Sequence, residues 1–263
     1  MSLDVSLSSR IQKDHIRDQQ TLMVTKVEKL EPLRLQKEWM DSLAQAVTFL
    51  ESLNLAHGDL RPENILLDGN RLQLSDFDCT AEIGTDFEAC MAPYGRILNS
   101  NDMDQGQGRR GTSGFLGPRA EQFALGSLYY LINYGFEVYG NQRLTEDPRE
   151  HGPKVVDLLQ NMEFPELDGN PRIDDIINKC WHNRYATVGE LAGCTQALLN
   201  EEIEPDSDSC HNVSRDQDPL ANDFSSKRAL CQDLATGGLL DLLSSGEPEQ
   251  LGFTLEWYRH TTE

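Results

Sequence analysis

Positive charge is scarce in this chain: 23 Lys and Arg stand against 44 Asp and Glu, a net charge of −21 over 263 residues. A surface this acidic repels nucleic-acid phosphates and anionic lipid, so neither nucleic acid nor membrane is an expected partner. It also repels a free nucleotide, so any nucleotide site has to bring its own cations or a metal. No C-x-x-C pair occurs among Cys79, Cys90, Cys180, Cys194, Cys210 and Cys231, and no Cys/His cluster has zinc spacing. The six read as free thiols of a reducing compartment. No apolar run approaches the ~20 residues of a membrane span. The opening stretch MSLDVSLSSRIQKDH lacks the apolar core of a secretory signal. An intracellular, cytoplasmic location is therefore the expectation. No internal repeat is visible.

What is there is a chain of ordinary globular composition, 38% hydrophobic and 25% charged. At about 100–200 residues per domain, it holds one domain with tails or two small ones. Residues 1–20 are polar and unpatterned, and are expected to be a flexible N-terminus. TLMVTKVEKL (21–30) reads as a short strand and a connector. Leu35, Trp39, Leu43, Val47 and Leu50 recur every four residues, with Ala46 beside them, which predicts an amphipathic helix that opens near Pro32 and ends near Asn54. NILLD and RLQLS, joined at Asp68-Gly69-Asn70, predict a β-hairpin. NSNDMDQGQGRRGTSG (99–114) reads as a mobile loop. EQFALGSLYYLI (121–132) predicts a buried helix. KVVDLLQNM, IDDIINKCW and TVGELAGCTQALL predict three more helices. Residues 200–222 read as an acidic linker, and 223–263 as a small C-terminal helical extension.

The chemistry concentrates in HGDLRPENILLDGNRLQLSDFD (57–78). Phosphoryl transfer asks little of a protein: a base for the attacking hydroxyl, a cation on the moving phosphoryl, and oxygen ligands for the metal that bridges the phosphates. Asp59 can accept a proton, and Arg61 is a permanent cation two residues on. Asn64 offers an amide oxygen. Asp76 offers a carboxylate beyond a hairpin that folds it back toward Asn64, where both oxygens can share one metal. A lone Asp, Asn or Arg in a loop is ordinarily a turn former or a solvated charge; the joint pattern carries the argument.

His57-Gly58-Asp59-Leu60-Arg61-Pro62-Glu63-Asn64 followed by Asp76-Phe77-Asp78 resembles the eukaryotic protein-kinase family, whose catalytic loop reads H-R-D-L-K-P-E-N before a D-F-G metal loop. GTSGFLGP (111–118) resembles the end of an activation segment, with Thr112 as the threonine of Ser/Thr-type kinases. EQFALGSLYYLINYG resembles the family's buried helix, with Glu121 in place of the aspartate that anchors the catalytic-loop backbone. Cys180-Trp181 and Arg184 stand at familiar places in the closing helices. The whole chain, with its EWYRH ending, also resembles a fungal kinase-like group. The resemblance implies catalytic roles for Asp59 and Arg61, nucleotide contacts from Arg61, Asn64 and Asp76, and Mg2+ ligands in Asn64 and Asp76. ATP and Mg2+ are the implied cofactors, and a protein substrate or partner chain the implied partner. His57 reads as a support of the loop backbone and Glu63 as an ion-pair residue. Thr112 and Ser113 read as solvated loop hydroxyls open to phosphorylation. Trp39, Trp181 and Trp257 read as core or capping aromatics.

The departures narrow the function. Gly58 replaces the arginine of the catalytic loop, Asp78 the glycine after Phe77, and Arg119 the glutamate expected to pair with Arg184. No G-x-G-x-x-G turn and no V-A-I-K lysine precede the predicted helix, and only a strand and a hinge at Glu28–Leu30 are expected there. A hydrogen bond to a charged group contributes about 1.5–3 kcal/mol, so losing two or more predicts weak nucleotide binding. The expected fold is mainly α (α+β overall): a protein kinase-like C-terminal lobe, a helical bundle with short β-hairpins and the N-lobe largely absent. It spans residues 21–199. Three functions compete: an ATP-dependent, Ser/Thr-directed phosphotransferase completed by an N-lobe; a pseudokinase or C-lobe interaction module; and a small-molecule kinase of the aminoglycoside or choline type, which uses an H-G-D-x-x-x-x-N loop.

Overall fold

A computed structural model describes residues 5–21, 23–87, 90–96 and 114–200, which lie in one compact unit spanning residues 1–205. Residues 99–113, the expected linker from 201 and the C-terminal extension fall outside the described residues, as do Thr112, Ser113 and Trp257.

The helices form where the apolar spacing predicts them. Helix α2 (Leu33–Ser52, after Pro32) buries Leu35, Trp39, Leu43, Val47 and Leu50. Ala44 and Met40 complete its buried stripe, where Ala46 was expected; Ala46 sits one helical step off the face, half-exposed. Helix α3 (Pro118–Tyr134) is buried throughout from Glu121 to Ile132 and ends at Gly135, whose φ of +80° lets its N–H return to the Leu131 carbonyl at 2.9 Å. Helices α4 (His151–Gln160), α5 (Pro171–Trp181) and α6 (Val188–Asn200) follow.

Helix α3 is the central rod. Gly126 lets α5 come close: a Cβ there would stand 2.8 Å from the Cys180 Cβ and 3.0 Å from Trp181 Cδ1. Trp181 stacks on Phe164 at 4.6 Å between ring centroids. On the other side, Tyr129 donates its hydroxyl to the Met40 carbonyl at 3.1 Å, and Gln36 donates to the Ile132 carbonyl at 3.1 Å, fixing α2 against α3. Glu51, at the end of α2, accepts the Val188 and Gly189 N–H groups at 3.1 Å each and so satisfies the open start of α6.

The N-terminal stretch departs from expectation. Residues 5–17 are not a flexible lead. Strand β1 (Val5–Ser6) pairs with a later strand, β5 (Ile65–Asp68), with Val5 opposite Leu67. Helix α1 (Leu7–Gln12) buries Leu7 completely and most of Ile11, and Ser6 caps it by accepting the Ser9 N–H at 3.1 Å. Strand β2 (His15–Arg17) pairs antiparallel with β3 (Val24–Val27), and Arg10 binds Glu31 at 2.6 Å. A six-residue helix and a two-residue strand are too short to show a period, so only the long-range pairing reveals them.

β5 and β6 (Arg71–Leu74) form the predicted hairpin, with Asp68 opposite Arg71 and Gly69 at φ +62° opening the turn. Trp39 Nε1 donates to the Asn70 carbonyl at 2.7 Å, so the core helix holds the hairpin tip. Two small ribbons complete the frame: β4 (Leu55–Ala56) with β7 (Ala81–Glu82), and β8 (Asp86–Phe87) with β9 (Gly114–Phe115). Among the described residues no helix is long and apolar enough to cross a membrane.

Candidate active site

The 57–64 loop runs from β4 to a 3-10 turn, Pro62–Asn64, that opens β5. The turn curls Asn64 back onto the loop. Its Nδ2 donates to Asp59 Oδ2 at 2.8 Å and to the Asp59 carbonyl at 3.0 Å. Arg61 Nε lies 3.1 Å from the same Oδ2, though its N–H is not aimed along that line, so the contact is an ion pair without hydrogen-bond geometry. Asp59, Arg61 and Asn64 therefore meet on one carboxylate oxygen.

The hairpin closes as its sequence predicts. Ser75, the first residue after β6, donates its N–H at 2.9 Å and its hydroxyl at 3.0 Å to the Asn64 carbonyl. Asp76 follows at φ +60°, a left-handed conformation that turns the chain sharply. With Nδ2 committed to Asp59, the Asn64 Oδ1 has no hydrogen bond among the described residues. That amide oxygen and the Asp76 carboxylate are hard donors of the kind Mg2+ takes from protein, and two such donors fit an ion whose other positions go to phosphate and water. Among the described residues no group of three or more His, Cys, Asp or Glu could hold a metal.

His57 supports the loop from inside. It is fully buried, its Nε2 sits 3.0 Å from the Ser75 carbonyl, and its Nδ1 accepts the Asp59 N–H at 3.3 Å. Those partners assign the proton to Nε2. Burial lowers its pKa, opposed by the Ser75 hydrogen bond and by Asp59 and Asp76. Asp78 adds to the same field: after burial, Asp59, Asp76 and Asp78 push the Cys79 thiol up while Arg61 pulls it down. The site is thus three carboxylates with one nearby guanidinium.

Two features explain departures from the kinase pattern. Gly58 has φ +80°, and a Cβ there would stand 2.6 Å from the Cys79 carbonyl oxygen, so this backbone leaves no room for a side chain. Glu121, buried at the start of α3, accepts the His57 N–H and the Gly58 N–H at 3.0 Å each. Its longer side chain does what the sequence comparison expected of an aspartate. Burial raises its pKa to about 7, with Glu51 adding to the rise and the two amide bonds opposing it.

Three contacts have no local sequence signal. Cys90 donates its thiol to Asp59 Oδ1 at 3.0 Å from 31 positions away. Tyr94 donates to Glu137 Oε1 at 2.9 Å. Gln122 donates to the Tyr185 carbonyl at 3.1 Å and accepts the Tyr185 N–H at 3.2 Å. It also bonds Asn183, so a neutral amide ties α3 to the loop of Arg184, which itself is exposed.

The chain is 24% identical over 230 residues to MAP kinase-activated protein kinase 2 of Drosophila melanogaster, covering 76% of this chain and 60% of that protein. The human protein of that name is 27% identical over 196 residues, covering 64% of this chain and 46% of that protein. A 58-residue stretch is 50% identical to the liver/testis gamma catalytic chain of phosphorylase b kinase of Mus musculus, covering 20% of this chain and 14% of that one. The similarity is to protein kinases. It supports a protein kinase-like family for the chain, and the mainly helical architecture with small sheets is compatible with that fold. No protein-family model matches. The chain spans about 60% of the Drosophila relative's length, and less of the others.

Proposed function

We propose that this chain carries the catalytic loop and metal loop of an ATP- and Mg2+-dependent protein phosphotransferase directed at Ser or Thr. The observation that carries the reading is the convergence of Asn64 Nδ2 (2.8 Å) and Arg61 Nε (3.1 Å) on Asp59 Oδ2, with Ser75 fastening the metal loop to Asn64. Asp59 accepts the proton of the acceptor hydroxyl as its oxygen attacks the γ-phosphorus. Arg61 faces the phosphoryl group as negative charge moves toward the leaving oxygen. Asn64 Oδ1 and Asp76 would hold Mg2+; Mg2+·ATP, when bound, supplies the phosphoryl group and the neutralising charge. Glu121 and His57 keep the loop backbone in register beneath these side chains. The finer resemblance, to a fungal kinase-like group without most of the N-lobe, belongs to the same reading. Residues 1–32 contain no glycine, so a glycine-rich phosphate loop has to come from elsewhere. Nucleotide binding by this chain alone is weak in this reading, and the kinase-like domain is residues 21–199 with the ordered N-terminal elements packed onto it.

The test is phosphate transfer from Mg2+·ATP to Ser/Thr peptide pools, with the gene sequence upstream of Met1 joined to the chain if it encodes a glycine loop and lysine. Asp59→Asn should abolish transfer, by at least about 100-fold, while leaving nucleotide binding in place. Turnover unchanged in Asp59→Asn overturns the base assignment. Transfer to an amino-alcohol but to no peptide selects the small-molecule kinase reading. A second reading, an interaction module without turnover, is favoured by the exposed Leu30, Leu33 and Phe77 and follows if Mg2+·ATP gives no heat of binding at millimolar concentration.

A further inference from the structure

Residues 90–96 are described between β8 and β9, and their side-chain and backbone contacts reach Asp59, helix α3 and Glu137. Ser127 of α3 donates to the Pro93 carbonyl at 2.6 Å, and the Arg96 guanidinium lies 5.6 Å from the centre of the Phe123 ring. Tyr94, almost fully buried, donates to Glu137, and its N–H closes a turn onto the Met91 carbonyl at 3.0 Å. A Cβ at Gly95 would overlap the carbonyl of Cys90, so the backbone of this strap is folded tightly on itself. The strap ends at Asp59, where Cys90 Sγ is 3.0 Å from Oδ1.

We propose that Cys90 is a positioning residue for Asp59, its thiol holding Oδ1 while Asn64 and Arg61 hold Oδ2. The two carboxylate oxygens are then fixed from opposite sides by residues that do not share an element. An ionised carboxylate oxygen accepts along two directions, so Oδ1 keeps one free for an acceptor hydroxyl. The thiol suits this task because burial, and then Asp59 itself, push its ionisation up, so it remains an S–H donor at neutral pH. The strap's anchors on Ser127 and Phe123 tie it to α3, the helix that also anchors the 57–58 backbone through Glu121. Among the described residues of the 84–117 segment, Cys90 is the one whose side chain bonds Asp59. The effect on turnover rests on the reading of Asp59 as the base; the contact does not.

The experiment has two arms on the full chain. In the first, iodoacetamide labelling at each cysteine is followed by mass spectrometry. Asp59→Ala should raise the Cys90 rate roughly fivefold or more by removing the acceptor and its charge. Cys180 should stay protected and exposed Cys194 unchanged. A rise at Cys180 marks unfolding; Asp59→Asn, which keeps the volume and loses the charge, then takes its place with a smaller rise expected at Cys90. A Cys90 rate unchanged in the folded variant overturns the proposal. In the second arm, Cys90→Ala should lower kcat about tenfold with nucleotide KM within about twofold, and Cys90→Ser, which keeps a donor, should restore most of it. A serine variant as slow as the alanine variant, or an alanine variant as fast as wild type, overturns it. If wild type shows no phosphate transfer under any condition, the proposed function falls while the labelling arm still decides the contact.

Discussion

Glu121 Oε1 accepts the backbone N–H of Gly58 at 3.0 Å, across 63 positions of sequence. The bond sets a left-handed glycine beside the candidate base and places a buried carboxyl under the loop. In the folded chain Glu121 has a pKa of about 7 against an ordinary 4.5, so between those pH values the folded state holds a proton that the unfolded state has lost. This group's contribution is therefore most favourable at low pH and is lost as pH rises toward 7 and above. Glu121→Gln removes that dependence. Relative to the glutamine variant, wild type should lose on the order of 3 kcal/mol between pH 5 and pH 8. Urea denaturation at both pH values checks it; parallel curves would mean that Glu121 is already ionised at pH 5.

Gly58→Ala should destabilise by about 1–3 kcal/mol, because it adds left-handed strain to a Cβ pressed on the Cys79 carbonyl. Gly69→Ala is the control, at φ +62° with nothing within 4 Å of a Cβ. It should cost about 1 kcal/mol, from backbone strain alone. Thermal melts of the two variants separate packing from conformation.

Gln122→Ala should cost about 2–4 kcal/mol, since it strips partners from the Tyr185 N–H and carbonyl in a buried place. Gln122→Glu should be worse, because it faces the Tyr185 carbonyl and Asn183 with acceptors where donors stood. Denaturant midpoints order the variants, and a glutamate variant as stable as wild type would refute the amide's role.

Leu7→Ala should cost about 2–5 kcal/mol, as a fully buried leucine does. A cost below about 0.5 kcal/mol, the range of a surface substitution, would restore the expectation of a flexible N-terminus.

The sequence alone determined the parts that depend on near neighbours. The four-residue spacing of Leu35 through Leu50 made α2, two short apolar runs about Gly69 made the hairpin, and that hairpin returned Ser75 to Asn64. The H-G-D-L-R-P-E-N run put Asp59, Arg61 and Asn64 within one turn of each other, close enough for local chain geometry to join them. Tertiary structure decided what crosses long separations. It laid Cys90 on Asp59, set Glu121 under Gly58, let Gln122 bridge to Tyr185, and drew Leu7 into the core through strand pairing with Leu66 and Leu67. Of these, Glu121 stands in a stretch whose resemblance to the kinase helix announced its role, and the others have neither a period nor a motif. A buried polar group needs a partner wherever the packed chain supplies one, and that choice is made only when helices and hairpins have docked.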